Sequence, residues 1–367
     1  MSRPTRAVVD LGAIARNYRL LRGRAGATAI FPVLKADAYG HGASAVARRL
    51  EDEGADRFAV AIAEEGVALR RTGVRAPILI LGFSDPADLP LWKSYGLTPS
   101  IYDVPQTRAI ETAAAGSSEP LGVHLKLDTG MGRLGVLPSD LPEVIELLRR
   151  TRWLKLQGTF TQLARAQEPE CSTTEGQIET MRRCLSAMSG AGLDPGLVHV
   201  ANSAGLLVHP SSLFQAVRPG LALYGVLPSE SIDPDGLEPA MSVETAVMSA
   251  RRVATGTPLG YGGTFVTARP STIAVLPVGY HDGFRRSFSG RVSVLLRGKE
   301  APVVGAISMD LALVDATECG AEAGDRVVLL GSDAGRRVTA WDLARAGQTI
   351  PYEVLCGFGA RVPRVYV

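Results

Sequence analysis

The 367-residue chain has almost no net charge, since 39 Lys+Arg stand against 37 Asp+Glu and leave +2 with the five His neutral. Nucleic acid and anionic membrane surfaces are held through a basic excess that neutralises phosphates, so neither is expected as a partner. No apolar run approaches the ~18 residues of a membrane span, and the opening MSRPTRAVVDLGAIARN has no apolar leader core. A soluble, cytoplasmic protein is expected. The four cysteines, Cys171, Cys184, Cys319 and Cys356, form no C-x-x-C pair and no zinc-type spacing, so no metal site is expected and a reducing compartment fits. Internal repeats and low-complexity tracts are also missing.

What is present is an ordinary globular composition, 46% hydrophobic and 21% charged, which supports a real core and excludes disorder. Glycine is abundant, 40 residues or about 11% against about 7% in typical domains. Without a repeat to absorb them, the extra glycines belong in turns and where backbone approaches a ligand.

Eight short apolar runs recur with helical spacing between them: IFPVLK from Ile30, FAVAIA from Phe58, ILILG from Ile78, LTPSIY from Leu97, VHLKLD from Val123, LQGTF from Leu156, LVHVAN from Leu197 and LALYG from Leu221. Alternation of β and α favours a parallel sheet, and a count of eight favours a closed α/β (β/α)8 TIM-like barrel over an open doubly wound sheet. Beyond the Pro, Ser and Asp-rich stretch Leu227 to Met241 the texture changes to short β runs with glycine turns at about ten-residue spacing. A barrel over 1–233 followed by a mainly β C-terminal domain over 234–367 is expected.

Four segments suggest chemistry. In Phe31-Pro-Val-Leu-Lys35-Ala-Asp-Ala-Tyr39-Gly-His-Gly42 a lysine ends the first apolar run. At the C-terminal end of a barrel strand it either snorkels to solvent or points into the mouth, where desolvation makes a lysine reactive toward carbonyls. His124-Leu-Lys126-Leu-Asp128-Thr-Gly130-Met-Gly132-Arg133 places three glycines, counting Gly135, beside an arginine suited to a carboxylate. His199-Val-Ala-Asn202-Ser203-Ala-Gly205 and Val217-Arg218-Pro-Gly220-Leu221 fall at the seventh and eighth runs, where barrels often hold phosphate. The Ser203 hydroxyl with the amides of Ser203, Gly220 and Leu221 would cradle an anion, or Ser203 is simply a helix cap and Gly220 a turn.

Together, and with Gly260-Tyr261-Gly262, Ser308-Met309-Asp310 and Ile350-Pro-Tyr352-Glu353 further on, these motifs resemble the alanine racemases that use pyridoxal 5'-phosphate. The resemblance spans nearly the whole chain. It implies that Lys35 holds the cofactor, that Tyr39, Ser203, Gly220, Leu221 and Tyr352 bind its phosphate, and that Arg218 faces its ring nitrogen with His199 beside it. Since arginine does not give up its proton, the ring nitrogen stays unprotonated and side reactions are suppressed. It further implies two bases on opposite faces of the α-carbon, Lys35 for the D and Tyr261 for the L enantiomer. A phenol titrates near 10, so such a base needs nearby positive charge. Arg133 and the backbone of Met309 are implied to bind the substrate carboxylate, and Lys126 takes the place of a lysine often carbamylated. Tyr261 and Met309 are implied to complete the site of the other subunit in a homodimer supplying D-alanine for peptidoglycan.

Two positions depart from the family pattern: Gln162 stands where His is usual, and Ser308 where Cys is common. Gln hydrogen-bonds but takes up no proton near neutrality, so altered tuning of Tyr261 is expected, whereas Ser308 should change little. Other readings are a broad-specificity amino-acid racemase, a low-turnover cofactor-binding protein, for which only Gln162 speaks, and a decarboxylase, which Arg218 disfavours.

Overall fold

The computed structural model describes residues 3–232 and 236–367. The chain forms two compact units, one of Ile14–Ala38 and Ala43–Glu238, the other of Met1–Ala13, Tyr39–Gly42 and Pro239–Val367.

The first unit is the barrel. Its strands are Ala29–Ile30, extended by a bridge between Val33 and Ala59, then Phe58–Val60, Ile78–Ile80, the broken strand Leu97–Thr98 and Ser100–Ile101, then Leu121–Lys126, Leu154–Phe160, Leu197–Asn202 and Ala216–Arg218. All pair in parallel, and Ala216–Arg218 returns to pair with Ala29–Ile30, closing the ring. Strands such as Phe58–Val60 and Ile78–Ile80 are buried at every position, as expected for a sheet covered on both faces.

Helices follow the first seven strands. Leu141–Arg150 illustrates why: Leu141, Val144, Ile145 and Leu148 make one buried stripe, proline sits in the first turn, and Arg149 and Arg150 close the last turn, where cations suit the helix dipole.

The structure corrects two expectations. The run LALYG is a 3₁₀ turn, Leu221–Tyr224, and the eighth strand is the preceding Ala216–Arg218. Pro219 lacks an N–H and Gly220 turns the chain at φ −118°, ψ −90°, so the ladder ends before the more apolar run begins. The barrel also does not start at residue 1. Arg6–Val9 pairs antiparallel with Met241–Ala246 and parallel with Arg364–Tyr366, which places it in the β unit. The expected boundary between 233 and 234 lies outside the described residues.

The β unit is a sheet ordered 249–253, 271–276, 312–315, 299–304, 293–296, 326–333, 241–246, 6–9 and 364–366, with Arg336–Val338 paired to Arg326–Asp333. Two hairpins in it turn on two residues with positive φ, Arg297 (52°) with Gly298 (72°) and Ala334 (47°) with Gly335 (82°). That is the turn whose twist matches the strands it joins.

Candidate active site

Each barrel strand ends toward the same rim, and the sequence-selected cations meet there. Lys35 follows the first strand, Lys126 ends the fifth, and Arg218 ends the eighth. Lys126 is 6% exposed, and its ammonium lies 5.6 Å from the centre of the Phe160 ring, with the Arg218 guanidinium 5.2 Å from the same ring. Burial, then the charges of Arg133, Arg218 and Lys35, bring the Lys126 amine down to about 8, against the partial relief of Asp128.

Arg218 is held by carbonyls and one imidazole. Nη1 donates to His199 Nδ1 and to His199 O, both at 2.7 Å, and Nη2 donates to Thr161 O at 2.6 Å and Val200 O at 3.2 Å. The terminal nitrogens are thereby occupied, and the fifth donor, Nε–H, has no acceptor among the described residues. Burial lowers the guanidinium to about 9, so it stays charged at neutral pH.

The arginine also dictates the histidine tautomers. His199 Nδ1 receives a guanidinium N–H and must be bare, so the ring proton sits on Nε2 and is donated to His124 Nδ1 at 2.9 Å. Burial, followed by the Arg218 charge, pushes His199 well below its usual range and His124 to about 3, so both are neutral. His199 stacks on Phe160 at 4.8 Å and 7°. The His124 ring occupies the space of a side chain at Gly158 on the adjoining strand, where a Cβ would stand 2.5 Å from His124 Cε1.

Arg133 is presented by a loop wound around Asp128. Asp128 Oδ1 accepts from the amides of Gly130, Met131 and Gly132 at 2.9, 2.8 and 3.1 Å, and Oδ2 from Arg133 N at 3.1 Å. Burial alone would raise this carboxyl, yet the four N–H donors hold it below its usual range. Gly135, at φ 143°, lets the loop return against the strand, since a Cβ there would lie 2.5 Å from Asp128 N.

On the seventh and eighth strands Ser203 Oγ accepts from Gly220 N at 2.9 Å and Ala222 N at 3.3 Å, while Leu221 N–H has no acceptor among the described residues. A hydroxyl and converging amides suit a phosphate, the orphaned Arg218 Nε–H suits a ring nitrogen, and Lys35 suits a carbonyl, so these residues fit pyridoxal phosphate.

The remaining selected residues lie in the β unit. Tyr39 and Tyr352 face each other with ring centres 5.9 Å apart, and burial raises the Tyr352 phenol. Tyr261 is 71% exposed and Met309 50% exposed, on loops that touch where a Cβ at Gly260 would meet Ala306 N at 3.2 Å. Met309 O accepts from His281 N at 3.2 Å, and its own N–H has no acceptor among the described residues. Ser308 closes its turn through Oγ, donating to Leu311 O at 2.9 Å and accepting Leu311 N at 3.0 Å. Among the described residues the Gln162 side chain donates from Nε2 to its neighbour's carbonyl, Leu163 O, at 3.4 Å, while its backbone carbonyl accepts from Gln177 Nε2 at 3.0 Å.

Two family models cover the chain: "Alanine racemase, N-terminal domain" matches residues 9–228 and "Alanine racemase, C-terminal domain" matches 240–366. The chain belongs to the alanine racemase family. An alanine racemase of Symbiobacterium thermophilum is 40% identical over 366 residues, 99% of this chain and 97% of the relative. The solved alanine racemase of D-cycloserine-producing Streptomyces lavendulae superposes with a TM-score of 0.96 at 34% identity, covering 100% of this chain and 98% of that one. That of Bacillus anthracis with bound L-Ala-P gives 0.95 at 34%, covering 100% and 96%. The barrel and the mainly β domain are the fold of these racemases.

Sequence reasoning missed Asp128 as the organiser of the Arg133 loop, His124 as the partner of His199, and Glu65, which caps the lysine turn. Asp128 was legible, because an aspartate followed by Thr-Gly-Met-Gly can accept from the amides that follow it. His124 and Glu65 were not, since their partners lie 75 and 29 residues away.

Proposed function

We propose that Lys35 and Tyr261 are the two bases of this racemase, exchanging the α-proton of alanine on opposite faces. The observation that carries the reading is the cation rim of Lys35, Lys126, Arg133 and Arg218, with one uncommitted arginine donor at its floor. As a family member the protein is a pyridoxal-phosphate-dependent isomerase that interconverts L- and D-alanine. The cofactor, when bound, acidifies the α-proton of the amino acid. From D-alanine, Lys35 would accept the α-proton on one face while Tyr261 delivers its phenolic proton to the opposite face, giving L-alanine; from L-alanine, Tyr261 would accept the proton and Lys35 deliver one. Arg133 forks onto the substrate carboxylate while Met309 N–H supplies a further donor. Arg218 would offer its Nε–H to the cofactor ring, and His199 fixes the guanidinium plane. Tyr39, Tyr352, Ser203, Gly220 and Leu221 would bind the phosphate.

Tyr261 is 71% exposed in one chain, and burial against a second subunit would give it a defined environment. A homodimer in which Tyr261 and Met309 enter the partner's site supplies that environment. The product serves D-alanine supply for peptidoglycan in the cytoplasm; no helix among the described residues is long and apolar enough to cross a membrane. Carbamylation of Lys126 would place an anion between Arg133 and the other cations. The working division of the chain is a barrel to about residue 233 and a β domain after it, with the strand Arg6–Val9 paired in the sheet of the β domain.

The test is α-deuteration of L- and D-alanine in heavy water. Lys35→Ala should stop exchange from D-alanine and Tyr261→Ala from L-alanine, with cofactor still bound in the latter. Normal racemisation by Tyr261→Ala refutes the assignment. Serine, lysine and arginine in the same assay define the substrate range, and sedimentation across a dilution series tests the dimer.

A further inference from the structure

The turn that follows Lys35 runs against its own sequence. Ala36, Asp37 and Ala38 adopt φ/ψ of 52/49°, 53/48° and 55/48°, and Tyr39 has φ 54°, a left-handed turn built without glycine. Lysine and alanine are among the strongest right-handed helix formers, and the left-handed form crowds every Cβ against the next carbonyl. Left to local preference, the segment would wind the other way and swing the Lys35 side chain with it.

A carboxylate from another element opposes this. Glu65 lies in the first turn of the helix Ala63–Arg71 after the second strand. Its Oε1 accepts from Ala36 N at 2.7 Å, and its Oε2 accepts from Ala61 N at 2.7 Å and Ile62 N at 3.4 Å. One side chain thus ties the exit of the first strand to the exit of the second. The far end of the turn is held by Asp37 Oδ1, which accepts from Ala43 N at 2.7 Å. The Ile62 and Ala61 bonds are an ordinary helix start. The bond to Ala36 serves no helix, because Ala36 belongs to the neighbouring strand's loop.

We propose that Glu65 is a positioning residue for Lys35, fixing the Ala36 peptide so that the amine meets one face of the substrate. It touches neither substrate nor cofactor, and the proposal rests on the two-base reading. The consequence is asymmetric. Loss of Glu65 misaligns the Lys35 face and leaves the Tyr261 face intact, whereas loss of a merely structural helix cap weakens both alike.

The experiment uses the full chain loaded with cofactor, comparing Glu65→Ala and Glu65→Gln with Glu64→Gln on the exposed neighbour. Primary α-deuterium isotope effects are measured with D- and with L-alanine, and Ala36 amide exchange is followed without cofactor. Glu65→Ala should speed Ala36 exchange at least about tenfold and lower kcat by roughly 10–100-fold, as small misplacements of a reacting group do. KM should stay within about twofold, because the carboxylate-binding groups are untouched, and the isotope effect should rise for D-alanine alone. Glu65→Gln, which keeps the volume and one acceptor, should fall between, and it carries the comparison if the alanine variant does not fold. Equal changes for both enantiomers, or an unchanged Ala36 amide, overturn the proposal. If Lys35→Ala still exchanges D-alanine, the two-base reading itself fails, a result independent of Glu65.

Discussion

Lys126 should make the stability of this protein rise with pH over an alkaline window. The amine titrates near 8 in the folded chain instead of 10.5, so between those values the unfolded chain binds more protons than the folded one and stability increases with pH. Below about 8 both states are protonated and the burden is constant. At ~1.4 kcal/mol per tenfold, the whole effect is about 3 kcal/mol, of which about 2 should be gained between pH 7 and 9.5. Lys126→Met removes the titration while keeping a flexible stem against Phe160. The stability difference between variant and wild type, from denaturant unfolding of cofactor-free protein in carbonate-free buffer, should therefore shrink by about 2 kcal/mol over that range. The same shift leaves about one amine in ten neutral at pH 7, against about one in 3,000 for an ordinary lysine, and only the neutral amine captures carbon dioxide. Labelled bicarbonate should therefore give a carbamate resonance in wild type that Lys126→Met lacks, and should stabilise wild type alone. A difference that stays flat from pH 7 to 9.5 refutes the assignment of a depressed lysine.

Three other outcomes follow from the site. Gly158→Ala puts a Cβ into the His124 ring and 2.6 Å from Leu197 O; it should cost about 1–3 kcal/mol and shift the nitrogen resonances of both His124 and His199. Asp128→Asn leaves one acceptor oxygen for four amides, so KM for alanine should rise about tenfold or more with kcat less affected, since Arg133 is presented by that loop. Because the Asp128 carboxyl is held below its usual range, its contribution is present above the ordinary carboxylate range and lost on acidification, and acid unfolding should begin at higher pH in the variant. Gln162→His restores a titrating group, and the L-to-D pH–rate profile should gain a limb near pH 6–7; an unchanged profile shows that position 162 does not tune the base.

How much of this was visible in the sequence depended on range. Lys35, Lys126 and Ser203 could be placed at strand ends because each closes or follows an apolar run, Arg133 could be placed on the glycine loop after one, Arg218 could be placed only near the eighth run, which it precedes, and the barrel could be counted from those runs. The last run misled, since hydrophobicity alone does not separate a buried strand from a buried 3₁₀ turn; Pro219 and Gly220 were the discriminating signal. The partner of Arg6–Val9 was invisible because a four-residue strand carries no address. The left-handed turn after Lys35 was equally hidden, because Lys-Ala-Asp-Ala reads locally as right-handed helix and only the contact with Glu65 overrides it. His124 read as one alternating strand residue, and its role appears only when the register sets it over Gly158.

The placement of Arg6–Val9 between Met241–Ala246 and Arg364–Tyr366 has a consequence for synthesis on the ribosome. Arg6–Val9 is made with the whole barrel still to come before its neighbour Met241–Ala246, and waits longer still for Arg364–Tyr366. During that interval it is an open edge carrying Ala7 and Val9, both wholly buried once paired, and such edges invite mispairing. The barrel segments between them can close their ring once Arg218 has been made, while the sheet is complete only once Arg364–Tyr366 has been made. Nascent chains stalled before Arg364 should thus hold a finished barrel and an unfinished sheet, and be most exposed to aggregation at that moment.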